Sequence, residues 1–280
     1  MKFNKIAPIF TVLASLAAVA HADENIPSSI YSTPELSNIP KVGDYRSPEL
    51  LNPINHTLVI IDYEDVMATS ARSSELLELN RNIGAVAWFS RFYRVPTVLT
   101  LGGETGFAGP LMPVLREIYP GAKPYRRTST NTWEDDATRN AIIGKGKKKL
   151  VMMGLWSDVC LTYPVLSAIK AGYDVYFIAD ASATTNKVGH DLAVQRMIQA
   201  GAHPLSTVDY VFELVRDWAR PDNTSPVRSK ALHEAFKKYG ILREELDYTD
   251  YMVPTSAFYH GFDYSGMGEP DPKPISKPAK

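Results

Sequence analysis

The sequence has one cysteine, Cys160, in 280 residues. A single thiol excludes a disulfide framework within the chain and any zinc site built from several cysteines. Excess charge of either sign is also missing: 30 Lys and Arg face 31 Asp and Glu. Near-neutrality argues against a protein that binds nucleic acid through its phosphates. Long apolar runs are absent past the N-terminus, which excludes a multi-span membrane protein. Internal repeats are absent too, as are G-x-S-x-G, H-E-x-x-H and a Walker-type phosphate loop. Gly144-Lys145-Gly146 before three lysines lacks a third glycine and reads as a solvated loop. With 45% hydrophobic and 22% charged residues, what is left is an ordinary globular chain, long enough to bury a sizeable core.

The first residues stand apart from the rest. Lys2 and Lys5 precede a mostly apolar run from Ile6 to Ala20, and Ala20-His21-Ala22 leads into Asp23-Glu24. Positive start, apolar stretch and A-x-A site in that order describe a secretory signal peptide. Residues 1–22 are therefore expected to be removed after Ala22 and the mature chain exported, most simply to a bacterial periplasm, with no membrane association afterwards. An uncleaved anchor or a buried first helix is the competing account. Residues 23–55, punctuated by Pro27, Pro34, Pro40, Pro48 and Pro53, read as a surface arm.

From 56 to 220 strand and helix patterns alternate. Thr57-Leu58-Val59-Ile60-Ile61 is a continuous β-branched apolar run, the pattern of a strand covered on both faces. Leu76, Leu79, Ile83 and Val86 then recur at helical spacing to about Tyr93. Further strands are expected at Thr97–Thr100, near Tyr125, at Leu150–Met153, at Asp174–Ala179 and at Pro204–Ser206. Helices fall between them at about Pro110–Tyr119, Glu134–Ile143, Val159–Ala171 and Asp191–Ala200, with another at Val208–Trp218. The alternation implies right-handed crossovers and a three-layer α/β/α, doubly wound, parallel six-stranded sheet. Residues 221–280 add a helix at about Lys230–Tyr239 and a Pro/Lys-rich tail.

In such sheets functional groups collect beyond the carboxyl ends of strands, where the strand order reverses. Asp62 follows the first strand, and Cys160 follows the fourth within Gly154-Leu155-Trp156-Ser157-Asp158-Val159-Cys160. A strand order of 3-2-1-4-5-6 makes these strands neighbours and sets an acid beside a thiol. At a helix start the dipole and free N–H groups favour a thiolate, and a nearby carboxylate can take the thiol proton. The plain alternatives are a small buried cysteine and an aspartate capping a turn.

Several separated motifs, in order, resemble the isochorismatase-like cysteine hydrolase superfamily and its YcaC-like subgroup. They are Val59-Ile60-Ile61-Asp62, Glu104-Thr105-Gly106 with Gly109-Pro110-Leu111, and Gly154 through Cys160. Pro164 through Tyr173 and Asp180-Ala181-Ser182 follow, then Arg196-Met197, Gln199 through Ala202, Glu213-Leu214 and Arg216-Asp217-Trp218. The resemblance implies a triad of Asp62 as base, Cys160 as nucleophile and a basic residue after the third strand. Arg126 has the best spacing to Asn131-Thr132-Trp133, Arg127 is the adjacent competitor and Lys123 a weaker one; a solvated basic turn is the plain account. It implies a non-proline cis peptide at Leu155–Trp156, with the Trp156 and Cys160 N–H groups as oxyanion hole. Glu64, where the family often has Gln, and Phe107 and Trp133 are possible pocket residues, with core packing the simpler account of the aromatics.

The resulting expectation is a metal-free, cofactor-free cysteine hydrolase. Its substrate would be a small-molecule amide, carbamoyl or related C–N compound, cleaved through an acyl-thioester by a homo-oligomer. The alternative is a pocket or assembly protein that has kept the fold and lost turnover. No His lies between His56 and His190, so the metal cluster of nicotinamidase relatives is not expected, and His190, His203, His233 and His260 lack ligand spacing.

Overall fold

A computed structural model of the chain describes residues 47–103, 108–243 and 246–247. The expected signal peptide, residues 23–46 of the N-terminal arm, Glu104 through Phe107 and the Pro/Lys-rich tail lie outside the described residues.

All six residues of β1 (His56–Ile61) are buried, as a strand covered on both faces must be. The chain continues through α1 (Asp65–Ser70), α2 (Leu76–Phe92), β2 (Thr97–Gly102), α3 (Pro113–Ile118) and β3 (Tyr125–Arg127). A 3-10 turn at Thr132–Glu134 leads to α4 (Asp136–Ile143) and β4 (Lys149–Gly154). A π-helical turn at Ser157–Leu161 then runs straight into α5 (Thr162–Lys170). After these come β5 (Asp174–Ile178), α6 (Lys187–Gln199), β6 (His203–Leu205), α7 (Thr207–Val215), α8 (Pro221–Thr224) and α9 (Pro226–Tyr239). The sheet order is β3-β2-β1-β4-β5-β6 and every pairing is parallel. This is the three-layer architecture and strand order that the alternating pattern implies.

Strand alternation divides the core in two. Leu58 and Ile60 of β1 pack with α2, α3, α7 and α9, whereas Val59 and Ile61 pack with α4, α5 and α6 on the opposite face. Cys160 belongs to the second cluster, beside Trp133 and Leu161.

The helix bounds differ from expectation in instructive ways. The Asp65–Ser70 helix was not expected, being too short to show a period. The expected helix at Val159–Ala171 is a π-helical turn followed by α5. α6 starts four residues before the expected Asp191, because Asn186 caps it by accepting from the Gly189 N–H at 2.8 Å. α7 stops at Val215 rather than Trp218, where Arg216 turns left-handed at φ 57°.

Candidate active site

The ends of β1 and β4 are hydrogen-bonded neighbours, with Ile61 opposite Gly154. Their approach is so close that a Cβ on Gly154 would lie 3.0 Å from the Ile61 Cβ and 3.1 Å from its carbonyl oxygen. Beyond this point β1 ends in Asp62 at φ 58°, its N–H donating to Thr100 O at 2.9 Å. Aspartate tolerates that left-handed conformation better than most residues. On the β4 side the Leu155–Trp156 peptide is cis, and the Ser157 N–H is held by Ala183 O at 2.9 Å. The turn that follows delivers Cys160, 8% exposed.

Arg127, not Arg126, is the basic residue of this site. Its Nη2 donates to Asp62 Oδ2 at 2.5 Å, with both side chains almost fully buried. Nε donates to Thr132 Oγ1 at 3.0 Å and Nη1 to the Ser129 carbonyl, so three donor atoms of the guanidinium are engaged. Arg126 is exposed at the sheet edge, as is Lys123. The expectation for Arg126 is corrected by pleating: adjacent residues of β3 point to opposite sides, and only Arg127 turns inward. The Asn-Thr-Trp segment does measure the distance to the basic residue, but through the Thr132 hydroxyl, which fixes Arg127.

Gly102, opposite Arg127 in the β2–β3 register, opens the space for this pair. A Cβ there would come within 3.1 Å of Asp62 Oδ2 and 3.3 Å of Arg127 Nη1. Sequence reasoning missed Gly102 and the supporting Thr132, because neither carries a reactive group; the GG pair after a strand was the available signal.

Burial raises Asp62 above the usual carboxylate range, opposed by the Arg127 charge and by hydrogen bonding to Cys160. Burial and then the Asp62 charge push the Cys160 thiol up to about 12, while the Trp156 backbone N–H, which faces the sulfur, works the other way. The expectation of a thiolate favoured by a helix start is thus corrected. Cys160 sits inside the π-helical turn, and burial beside a carboxylate outweighs any dipole there. Asp62 and Cys160 are set up to share a proton.

Glu64 lies near Asp62, 2% exposed, with Oε2 lacking a hydrogen-bond partner among the described residues. Burial and the Asp62 charge raise it to about 8. Trp133 is buried in the same apolar cluster as Cys160, edge-on to Tyr173 at 5.2 Å. Trp156 is half-buried and its indole N–H donates to Met67 O at 3.3 Å. Phe107 lies outside the described residues. Among the described residues no three His, Cys, Asp or Glu side chains gather to hold a metal. An open cleft lined by Ser73, Glu75, Asp180 and His190 contains neither Asp62 nor Cys160.

The isochorismatase domain model matches residues 56–209. Among curated proteins, the probable hydrolase YcaC of Escherichia coli is 34% identical over 163 residues, covering 58% of this chain and 78% of that protein. Among solved structures, YcaC from Pseudomonas aeruginosa with hexane-2,5-diol and covalent acrylamide is 31% identical. It has a TM-score of 0.64 and covers 72% of this chain and 99% of that one. The E. coli YcaC gene product, described as an octameric hydrolase of unknown specificity, is 28% identical with a TM-score of 0.67, covering 74% and 100%. Fold, motif order and matched span agree: the chain belongs to the isochorismatase family of hydrolases.

Proposed function

We propose that the protein is a cysteine hydrolase of a small amide, carbamoyl or related C–N substrate. The observation that carries this reading is the meeting of Cys160 with an Asp62 carboxylate anchored by Arg127 at two adjacent strand ends. A thiol held near 12 does not wait as a thiolate; its proton leaves as the sulfur attacks. Sγ bonds to the carbonyl carbon while Asp62 takes the thiol proton. The developing oxyanion is received by the Trp156 and Cys160 backbone N–H groups. The tetrahedral intermediate then collapses, the C–N bond breaks and Asp62 returns its proton to the departing nitrogen, leaving a thioester. Water attacks the thioester with Asp62 again as base, the acid leaves, and the sulfur recovers its proton. Arg127 cannot shuttle protons; it keeps Asp62 ionised and aimed. The P. aeruginosa relative carries covalent acrylamide, whose alkene accepts nucleophiles, which supports a reactive nucleophile in that relative.

The test is ammonia or amine release from a panel of small amides, wild type against Cys160→Ala, with mass spectrometry for an acyl adduct on Cys160. Release that requires Cys160, with an adduct, supports the reading; equal background release from both proteins sinks it. The raised thiol favours a second reading, a pocket or assembly protein without turnover, and that outcome would select it. Export after cleavage at Ala22 belongs to the same proposal and is read by N-terminal sequencing of the mature protein. So does homo-oligomerisation, supported by the octameric E. coli relative; sedimentation as a monomer at micromolar concentration would contradict it.

A further inference from the structure

Glu64 is two residues beyond Asp62, and the intervening Tyr63 points the other way, fully buried with its hydroxyl donating to Ala181 O at 2.5 Å. The backbone is extended at Glu64 (φ −97°, ψ 147°), and its carboxyl lies close enough to Asp62 to feel that charge. Both carboxyls lie beside the Gly102 backbone N–H. Glu64 occupies the capping position of α1, yet its side chain caps nothing. Its Oε2 is covered and accepts or donates no hydrogen bond among the described residues. A covered carboxyl oxygen without a partner, next to the carboxylate that adjoins the thiol, is a group waiting for a ligand.

Counting charge fixes its protonation. Among the described residues, Asp62 has Cys160 on one hand and Glu64 on the other, and one buried cation, Arg127, serves them. Arg127 gives Nη2 to Asp62, Nε to Thr132 and Nη1 to Ser129 O. Arg126, the other nearby cation, is exposed, and Asp65, which begins α1, is half-exposed and of the wrong sign. One countercharge neutralises one carboxylate, and a second buried carboxylate would stand uncompensated. The rise of Glu64 to about 8, from burial first and the Asp62 charge second, with Arg127, Arg126 and the Gly102 N–H opposing, agrees with that count.

We propose that Glu64 stands in the site as a neutral carboxylic acid and donates a hydrogen bond from its carboxyl to an acceptor oxygen of the substrate. It is then a specificity-determining residue, selecting small amides or carbamoyl compounds that carry a carbonyl or carboxylate oxygen beside the scissile bond. This rests on Cys160 and Asp62 acting as proposed above. Ionisation of Glu64 in mildly alkaline solution replaces the donor with a second buried negative charge, so anionic ligands are turned away first. A glutamine at this position donates through its amide and cannot ionise.

The probes are iodoacetate and iodoacetamide, alike in size and differing in charge. The ratio of their rates at Cys160, followed by mass spectrometry from pH 6.5 to 9.5, cancels the ionisation of the thiol itself. In wild type the iodoacetate-to-iodoacetamide ratio falls on the order of tenfold across this range. In Glu64→Gln it stays flat at the low-pH value, and in Glu64→Leu it is low throughout. A flat wild-type ratio, or the same fall in Glu64→Gln, overturns the role of Glu64. A Cys160 that neither reagent labels, or whose labelling is unchanged by Asp62→Asn, overturns the catalytic reading itself and the Glu64 role with it. Infrared difference spectra of wild type against Glu64→Gln give a second measure that needs no ligand. The carbonyl stretch of an un-ionised carboxylic acid at pH 7 is expected in wild type, and its absence overturns the proposal.

Discussion

Arg126 and Arg127 are chemically identical and one bond apart in sequence, yet one is solvated and the other is sealed against Asp62. Their difference comes from register on a three-residue edge strand, where Gly102 stands opposite Arg127 and leaves room for its head group. Composition and spacing carry no information about register at that resolution, so sequence narrowed the basic residue to neighbours and only the fold separated them. Asp62 and Cys160 were legible because each follows a strongly apolar strand whose end is easy to place. The separation has an energetic consequence. Arg127→Met leaves Asp62 charged and unpaired in the core and should cost about 3–5 kcal/mol in urea unfolding. Arg126→Met should change stability by no more than about 0.5 kcal/mol. Equal effects would place the buried cation elsewhere.

At the scale of elements, β1 is anchored at its start by a buried chain of hydrogen bonds. His56 Nδ1 donates to Asn52 O at 2.8 Å, which leaves Nε2 to accept from Tyr210 Oη at 2.9 Å. Tyr210 Oη also meets Ser90 Oγ at 2.8 Å, so β1, α2 and α7 are tied together. A carbonyl can only accept, so Nδ1 keeps its hydrogen, and an accepting Nε2 then needs a neutral ring; burial lowers His56 from 6.5 to about 4. The unfolded chain then binds a proton near pH 6.5 that the folded chain refuses until about pH 4. Stability from this group is complete above pH 6.5 and is lost as pH falls towards 4, by up to about 3 kcal/mol. His56→Gln should flatten that stretch of the urea stability profile; an unchanged slope would assign acid sensitivity to another group. Strands were read closely because their apolar runs are continuous. Helix ends were read less well, since Asn186 capping and the left-handed Arg216 are single-residue decisions without a period.

For the whole molecule, the core continues past the family match, which ends at residue 209. α9 lays Leu232, Phe236 and Tyr239 against α2, and the Phe236 ring packs tilted against Phe89 at 4.9 Å between ring centres. Gly84 makes the helix approach possible: a Cβ there would lie 2.4 Å from the Tyr239 ring. The sequence indicated a helix after Arg220, and its period gave no sign of which partner it covers. Removing residues 221–280 uncovers side chains worth about 1.5–3 kcal/mol each, enough to unfold a domain whose total stability is of order 5–15 kcal/mol. Gly84→Val should cost about 1–3 kcal/mol by overpacking the same contact. A truncated chain that unfolds at the wild-type temperature would make α9 an accessory.

A thiol that is un-ionised and nearly covered is a poor target as well as a reluctant nucleophile. Peroxides and disulfides react with thiolates, in proportion to their exposure. Burial and the Asp62 charge push the Cys160 thiol up to about 12 and leave it 8% exposed, so it offers little charge or surface to either. With no second cysteine in the chain to rescue an oxidised sulfur, the burial of Cys160 should slow its oxidation, measurable as slow sulfenic-acid formation under peroxide.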